Sequence, residues 1–203
     1  IYTNKESHIW IHNANKILML SPENAYAMSL LIEVDWDAIQ PRLAEWEKKG
    51  ADFLPLVGAL GRRYSELKQY EKARELLERY IGESPEDWAY ERLAANYKEQ
   101  GDTTRWLATL DRFLASGEDH GLDRARVRVE IANYYMAKGM WEQARPYAEA
   151  AAETWAGWAM QCAVRCYEGM KDWERAELWA RRVSERYPGS SVREWLNFCK
   201  RTG

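Results

Sequence analysis

The stretch "GMWEQARPYAEAA", Gly139 to Ala151, is followed by "KDWERAELWARRV", Lys171 to Val183, and both place a Trp three residues ahead of an Ala. Self-similarity at a fixed spacing is the mark of a stacked repeat, and overlooking it misassigns the whole fold. The aromatics that open successive Ala-bearing helices are Trp36, Tyr70, Trp141 and Trp173, with Thr103 standing in between the second and third; the steps are 34, 33, 38 and 32 residues. A second ladder, Tyr64, Tyr97, Tyr135 and Tyr167, steps by 33, 38 and 32. The two keep pace. The long step falls on "ASGEDHGLD", Ala115 to Asp123, whose Gly and acidic residues predict an enlarged turn.

The landmarks inside each period agree. Leu54 to Asp87 carries Leu60, Gly61, Tyr64, Tyr70, Ala73, Leu77 and Pro85, and Ala125 to Trp158 carries Ala132, Tyr135, Gly139, Trp141, Ala144 and Ala148. The last full period, near 157–190, has Tyr167, Trp173, Ala176, Ala180 and Pro188. This pattern and its period of about 34 residues resemble the tetratricopeptide repeat. The resemblance implies an all-α fold, a right-handed α-α superhelix (a solenoid of antiparallel helix pairs). Small residues such as Gly61, Ala73, Ala94, Ala132, Ala144 and Ala176 let backbones approach while aromatics fill the gaps. One pair cannot bury both faces, so neighbours stack.

The expected organisation is a single helical-repeat domain over 1–203. Residues 7–20 form an orphan second helix, 23–52 a repeat with a shortened first helix, and 54–87, 87–120, 125–158 and 157–190 full repeats. A capping helix follows over 191–201, started by Ser190 or Ser191. In the period 87–120, Trp106 stands where a small residue is usual, which predicts looser packing or a changed angle. For 7–20 a β-hairpin is the rival, because "HIWIHNANKILML" breaks two apolar runs with Asn-Ala-Asn.

With 203 residues and 46% apolar content the chain is long enough for a sizeable core. Its 29 basic and 32 acidic residues give a net charge of -3 without a run of five like charges, which argues against a nucleic-acid binder. No apolar run approaches the roughly 18 residues of a membrane helix, so no membrane partner is expected. The sequence starts at Ile1 without Met, which suggests a piece of a longer protein. Three Cys, with Cys162 and Cys166 four apart, fit small buried core residues and only weakly favour a reducing, cytoplasmic setting.

Catalytic constellations are scarce. None of HExxH, GxSxG, GxGxxG or GxxxxGK[ST] occurs. His8 and His12 would share a helix face, but the sequence sets no third metal ligand beside them, and His120 stands alone in the enlarged turn. Carboxylate pairs such as Glu149 with Glu153 have Lys or Arg nearby, as solvated helix faces do. No enzyme, cofactor or metal is expected.

In a stacked repeat the first helices line the inner wall. Positions offset from the core-facing ones by the helical period then face a groove. They include Arg62 and Ser65; Trp88, Arg92 and Lys98; Arg126, Val129, Asn133 and Met136; Trp158, Cys162, Arg165 and Glu168; and Trp195 in the last helix. The partner-binding candidates among them are Arg62, Trp88, Arg92, Lys98, Arg126, Asn133, Trp158, Arg165 and Trp195. The arginines are suited to carboxylates, and the tryptophans are not demanded by the repeat. Trp36, Trp141 and Trp173 hold landmark positions and are expected in the core, with Trp10, Trp46 and Trp106 on packing faces.

Some proteins of this type clamp a carboxyl-terminal peptide with a set of Lys, Asn and Arg. Arg126 and Asn133 match parts of such a clamp, but Val129 and Cys162 replace further polar members. The expectation is a non-catalytic scaffold that holds a peptide or helix of another protein in its concave groove. A regulatory or substrate-presenting arm of a larger enzyme, or of another domain of its own chain, is the alternative. Single-stranded RNA reading is disfavoured by the near-neutral charge.

Overall fold

The computed structural model describes residues 4–50, 53–117, 121–188 and 200–201. His120, Trp195 and the stretch 191–199 of the expected last helix lie outside them. Among the described residues the fold is all-α, with no strand. The chain divides into two compact units, 1–113 and 114–203.

The first unit opens with α1, Asn4–Leu20, a helix where the hairpin was the rival. Ala14 and Leu18 bury one face of it in the first core. α2, Ala25–Val34, is short, and the Asn24 side chain caps it by accepting from the Ala27 amide at 3.0 Å. The second half of that period is broken into α3, Trp36–Ile39, a single tight turn, Gln40–Arg42, and α4, Leu43–Gly50. Pro41 lies in that turn, where it lacks the amide hydrogen a continuous helix would use.

Two regular pairs follow: α5, Leu54–Glu66, with α6, Tyr70–Glu83, and α7, Asp87–Glu99, with α8, Thr103–Ala115. Helices α5 and α6 approach closely because Gly61 faces Leu76 and Leu77; a Cβ added to Gly61 would lie 3.2 Å from Leu77. Leu77, Ala73, Leu60 and Tyr64 are fully buried. Each such large apolar side chain contributes about 1.5–3 kcal/mol.

The second unit pairs α9, Leu122–Ala137, with α10, Trp141–Ala152, and α11, Gly157–Met170, with α12, Trp173–Arg186. Ala132, Ala144, Ala148, Cys162 and Cys166 form one small-residue core. A second, of Val164, Tyr167, Ala176 and Ala180, joins α11 to α12. The Trp141 ring covers Gly169 so closely that a Cβ there would meet it at 2.3 Å.

The tyrosine ladder has a backbone reason. The carbonyls of Tyr64, Tyr97, Tyr135 and Tyr167 each accept a bond at 2.9 Å from the amide five residues on. Lys68, Gly101, Gly139 and Lys171, four residues past each tyrosine, adopt φ between 58° and 73°. Their amides bond at 3.0 Å to the carbonyl three residues back. This is the Schellman ending of a helix, used at four equivalent first-to-second-helix turns. The tyrosine hydroxyls stitch neighbours as well: Tyr64 donates to Glu47 and Tyr167 to Glu149.

Two tryptophan expectations are corrected. Trp173 is nearly half exposed (46%), because it opens α12 at the rim, and Trp10 is equally exposed on a face of α1 that the described helices leave uncovered. Trp46 and Trp106 are buried, as their packing faces predict.

Candidate functional site

In the first unit, Arg62 of α5 is the centre. Its guanidinium donates to Glu33 of α2 at 2.6 Å and lies 4.5 Å from the ring centroid of Trp88 on α7. Three consecutive first helices are thus joined by one side chain. The Trp88 ring also rests 4.8 Å from that of Tyr80, and its Nε1–H donates to Glu86 at 2.8 Å. Glu86 accepts from the Tyr80 hydroxyl and from Ser84 too, and the bonds from Tyr80, Trp88 and Ser84 hold its carboxyl below the usual range. Trp88 is therefore an anchored, half-buried ring.

Beside Arg62 opens a pocket of about 540 Å³, lined by Ser7, Glu33, Arg62, Arg63 and Glu66 among others. Its mixed charges suit a polar chain better than a single apolar anchor. Arg92 is half-buried on α7; Lys98 is exposed, with its ammonium 5.0 Å from the Trp106 centroid. Ser65 departs from expectation. It is buried, accepts from Asn96 Nδ2 at 2.9 Å and donates to the Gly61 carbonyl, so it ties α5 to α7 instead of facing solvent.

In the second unit, α9 exposes Arg126 and Asn133, and α11 exposes Trp158 and Arg165. Each pair is seven residues apart, two helical turns, and so lies on one face. Between these faces runs a seam of Ala125, Ala159 and Val129. Arg126 is engaged with Asp123 at 2.7 Å, one turn back on its own helix. The Trp158 side chain stays 38% exposed.

Cys162, expected to face the groove, is fully buried between α9 and α11 because its position turns toward Ala132 and Ala144. Burial pushes its thiol up, and burial with the charges of Cys162 and Glu149 pushes the Cys166 thiol up to about 11. Val129 and Met136 are half-buried against the same core. Glu168 accepts from Arg201 at 3.0 and 2.5 Å.

Glu33 was missed from sequence. It pairs with Arg62 across 29 residues, and nothing local marks that pairing. Trp155, left unassigned there, sits in the turn before α11 at φ 60°, exposed, with the Arg182 guanidinium 5.7 Å from its centroid. Among the described residues, no three His, Cys, Asp or Glu converge where a metal ion could be held. No helix among them is long and apolar enough to cross a membrane.

No protein-family model matches the chain, and no curated protein is significantly similar to it. Solved structures are. One is YrrB, described as a tetratricopeptide-repeat protein with an unusual peptide-binding site: 15% identical, TM-score 0.57, covering 89% of this chain and 96% of that one. Another is PilF of Pseudomonas aeruginosa, 17% identical, TM-score 0.56, covering 98% and 99%. A third is PilW, described as a widely conserved type IV pilus biogenesis factor, 14% identical, TM-score 0.53, covering 96% and 100%. At such identities the likeness is one of fold, and with the repeated helix pair it shows that the chain has a tetratricopeptide-like helical-repeat fold.

Proposed function

We propose that the chain is a non-catalytic protein-interaction module whose exposed first-helix faces hold an extended peptide or a helix of another protein. The observation that carries this reading is the face of the second unit. Arg126 with Asn133 on α9 and Trp158 with Arg165 on α11 present charge, amide and a large aromatic at two-turn intervals beside an apolar seam. A part-exposed Trp flanked by Arg is the usual composition of an interface anchor. Arginine favours planar, bidentate contact with carboxylates, so the ligand class is a segment bearing Asp, Glu or a free carboxyl terminus. The peptide-binding site named for YrrB is in keeping with this reading. The Arg62, Glu33 and Trp88 cluster is a second contact point of the same kind on the first unit.

The test is a displayed random-peptide library panned against the 203-residue chain, with the selected peptides titrated against Trp158→Ala and Arg165→Glu variants. Acidic or carboxyl-terminal peptides should be enriched, and each variant should weaken them about tenfold or more with helicity by circular dichroism unchanged. Failure to enrich any peptide, or affinities untouched by both changes, overturns the proposal.

A further inference from the structure

Among the described residues three that are not glycine adopt a positive φ. Lys68 and Lys171 do so at the Schellman ends of first helices, where the repeat requires it. Trp155, at φ 60°, does so in the turn between α10 and α11. A bulky side chain in that conformation is an outlier, and it persists only where its surroundings fix it. Here they do. The Trp155 amide donates to the Ala152 carbonyl at 3.0 Å, and the Tyr187 hydroxyl donates to the Trp155 carbonyl at 2.9 Å. The Tyr187 ring also closes over Gly157, where an added Cβ would meet it at 3.2 Å. The turn is thus pinned to the end of α12, yet the ring it carries stays 45% exposed.

Arg182 of α12 adjoins that ring. Its guanidinium lies 5.7 Å from the Trp155 centroid and 4.6 Å from that of Trp179, one turn back on its own helix. Stacking against indole faces fixes the plane of a guanidinium and leaves its N–H donors at the edge. Among the described residues no acceptor or carboxylate meets those donors, although Arg182 is half-buried. Arg186, exposed and one turn further along, has no ion pair among them either. Glu153 and Glu185 lie near in sequence and bond to neither arginine. Arg175 and Arg181 on the same helix are paired, with Asp172 and Glu177.

Three features at this corner work against the fold: a strained aromatic, a half-buried guanidinium without an acceptor, and two like charges one turn apart. Local rules broken together mark a site kept for binding. An anion is what relieves the last two. The start of α11 and the end of α12 bring opposite partial charges here, so the arginines set the sign. Two guanidinium forks match the three oxygens and near-double charge of a phosphate monoester better than the single charge of a carboxylate. The exposed indole beside them offers a flat surface to a ring that carries the phosphate.

We propose that Trp155, Arg182 and Arg186 bind a phosphate monoester borne on an aromatic ring, the chemistry that phosphotyrosine presents, with Trp179 and Tyr187 holding the receptor in shape. The site shares no residue with the Arg126, Asn133, Trp158 and Arg165 face. It does not rest on the peptide-binding reading, and either stands if the other fails.

Isothermal titration of phenyl phosphate into the 203-residue chain tests this. A Kd on the order of 0.1–1 mM is expected for so small a probe. Arg182→Gln, Arg186→Gln and Trp155→Gly should each weaken it at least about fivefold, with helicity by circular dichroism unchanged. Glycine at 155 suits the left-handed turn, so Trp155→Gly should lose binding without lowering the melting temperature. Arg181→Gln, which removes the same charge from an arginine already paired, should leave affinity within about twofold. Benzoate should bind at least about fivefold more weakly than phenyl phosphate. A peptide with phosphotyrosine between glycines distinguishes the sources: tighter binding than phenyl phosphate identifies a phosphorylated protein segment, and equal binding a free aryl phosphate. No heat from either probe overturns the proposal. So does Arg181→Gln weakening binding as much as Arg182→Gln, since general charge attraction then suffices. Equal affinity for benzoate overturns the phosphate assignment, and affinity untouched by Trp155→Gly overturns the ring.

Discussion

Glu86 shows how much one exposed carboxylate can organise. It accepts from Tyr80, Trp88 and Ser84, and these bonds depress its pKa, the Tyr80 bond most. A carboxyl depressed in the folded state adds stability that is present above its unfolded value and lost as pH falls through the folded one. Glu86→Gln should therefore lower the urea midpoint at pH 7, by less than about 1 kcal/mol because the group is exposed. As pH falls through the depressed folded-state pKa and the wild-type carboxyl becomes protonated too, the two proteins should converge. A difference that is unchanged with pH would mean the charge plays no part. The ring that Glu86 and Arg62 hold is Trp88, legible in sequence as an aromatic the repeat does not require. Its anchoring was not legible, because Arg62 lies 26 positions before it in the chain.

At the scale of elements, the turns carry the repeat as much as the helices do. Four turns end a first helix with the same pair of backbone bonds, yet the left-handed position is Gly in two of them and Lys in the others, Lys68 and Lys171. A residue with a Cβ is less favourable there by about 1–2 kcal/mol. Lys171→Gly should raise the melting temperature by about 2–4 °C, and Gly139→Lys should lower it by a similar amount. Differential scanning calorimetry of the two variants checks this; a fall on Lys171→Gly would mean the Lys side chain makes a compensating contact. The period and phase of the regular pairs were plain from the Trp and Tyr spacings. The fracture of the second period into α3, a tight turn and α4 was signalled only by Pro41, and its ends were set by which of Trp36, Ile39 and Trp46 reached the core.

At the scale of the molecule, each compact unit has its own core. That of the first gathers Trp46, Met28, Ile32, Leu56, Leu60 and Tyr64 from α2, α4 and α5. In a stacked array each layer is stabilised by its nearest neighbours. Trp46→Ala removes a fully enclosed ring and should cost about 3–5 kcal/mol. Native-state hydrogen exchange should show lost protection concentrated in α2 and α5, with α10 to α12 close to wild type. A uniform loss over all helices would instead make the chain one cooperative unit.

The sequence by itself determined the all-α class, the period and the small-residue landmarks of the core such as Gly61, Ala73, Ala132, Ala144 and Ala176, because 3.6-residue periodicity and small-residue spacing are local properties of the chain. It also ranked the outward arginines and tryptophans as interaction candidates. Only the tertiary structure decided which of these had partners within the chain: Glu33 for Arg62, Glu86 for Trp88, Asn96 for Ser65, a buried seam for Cys162. It alone left Trp10 and Ile17 uncovered. The reason is that such contacts join residues 29 or 31 positions apart, as in Arg62 with Glu33 and Asn96 with Ser65, where side-chain reach and helix stacking choose among many charges and amides of equal local merit.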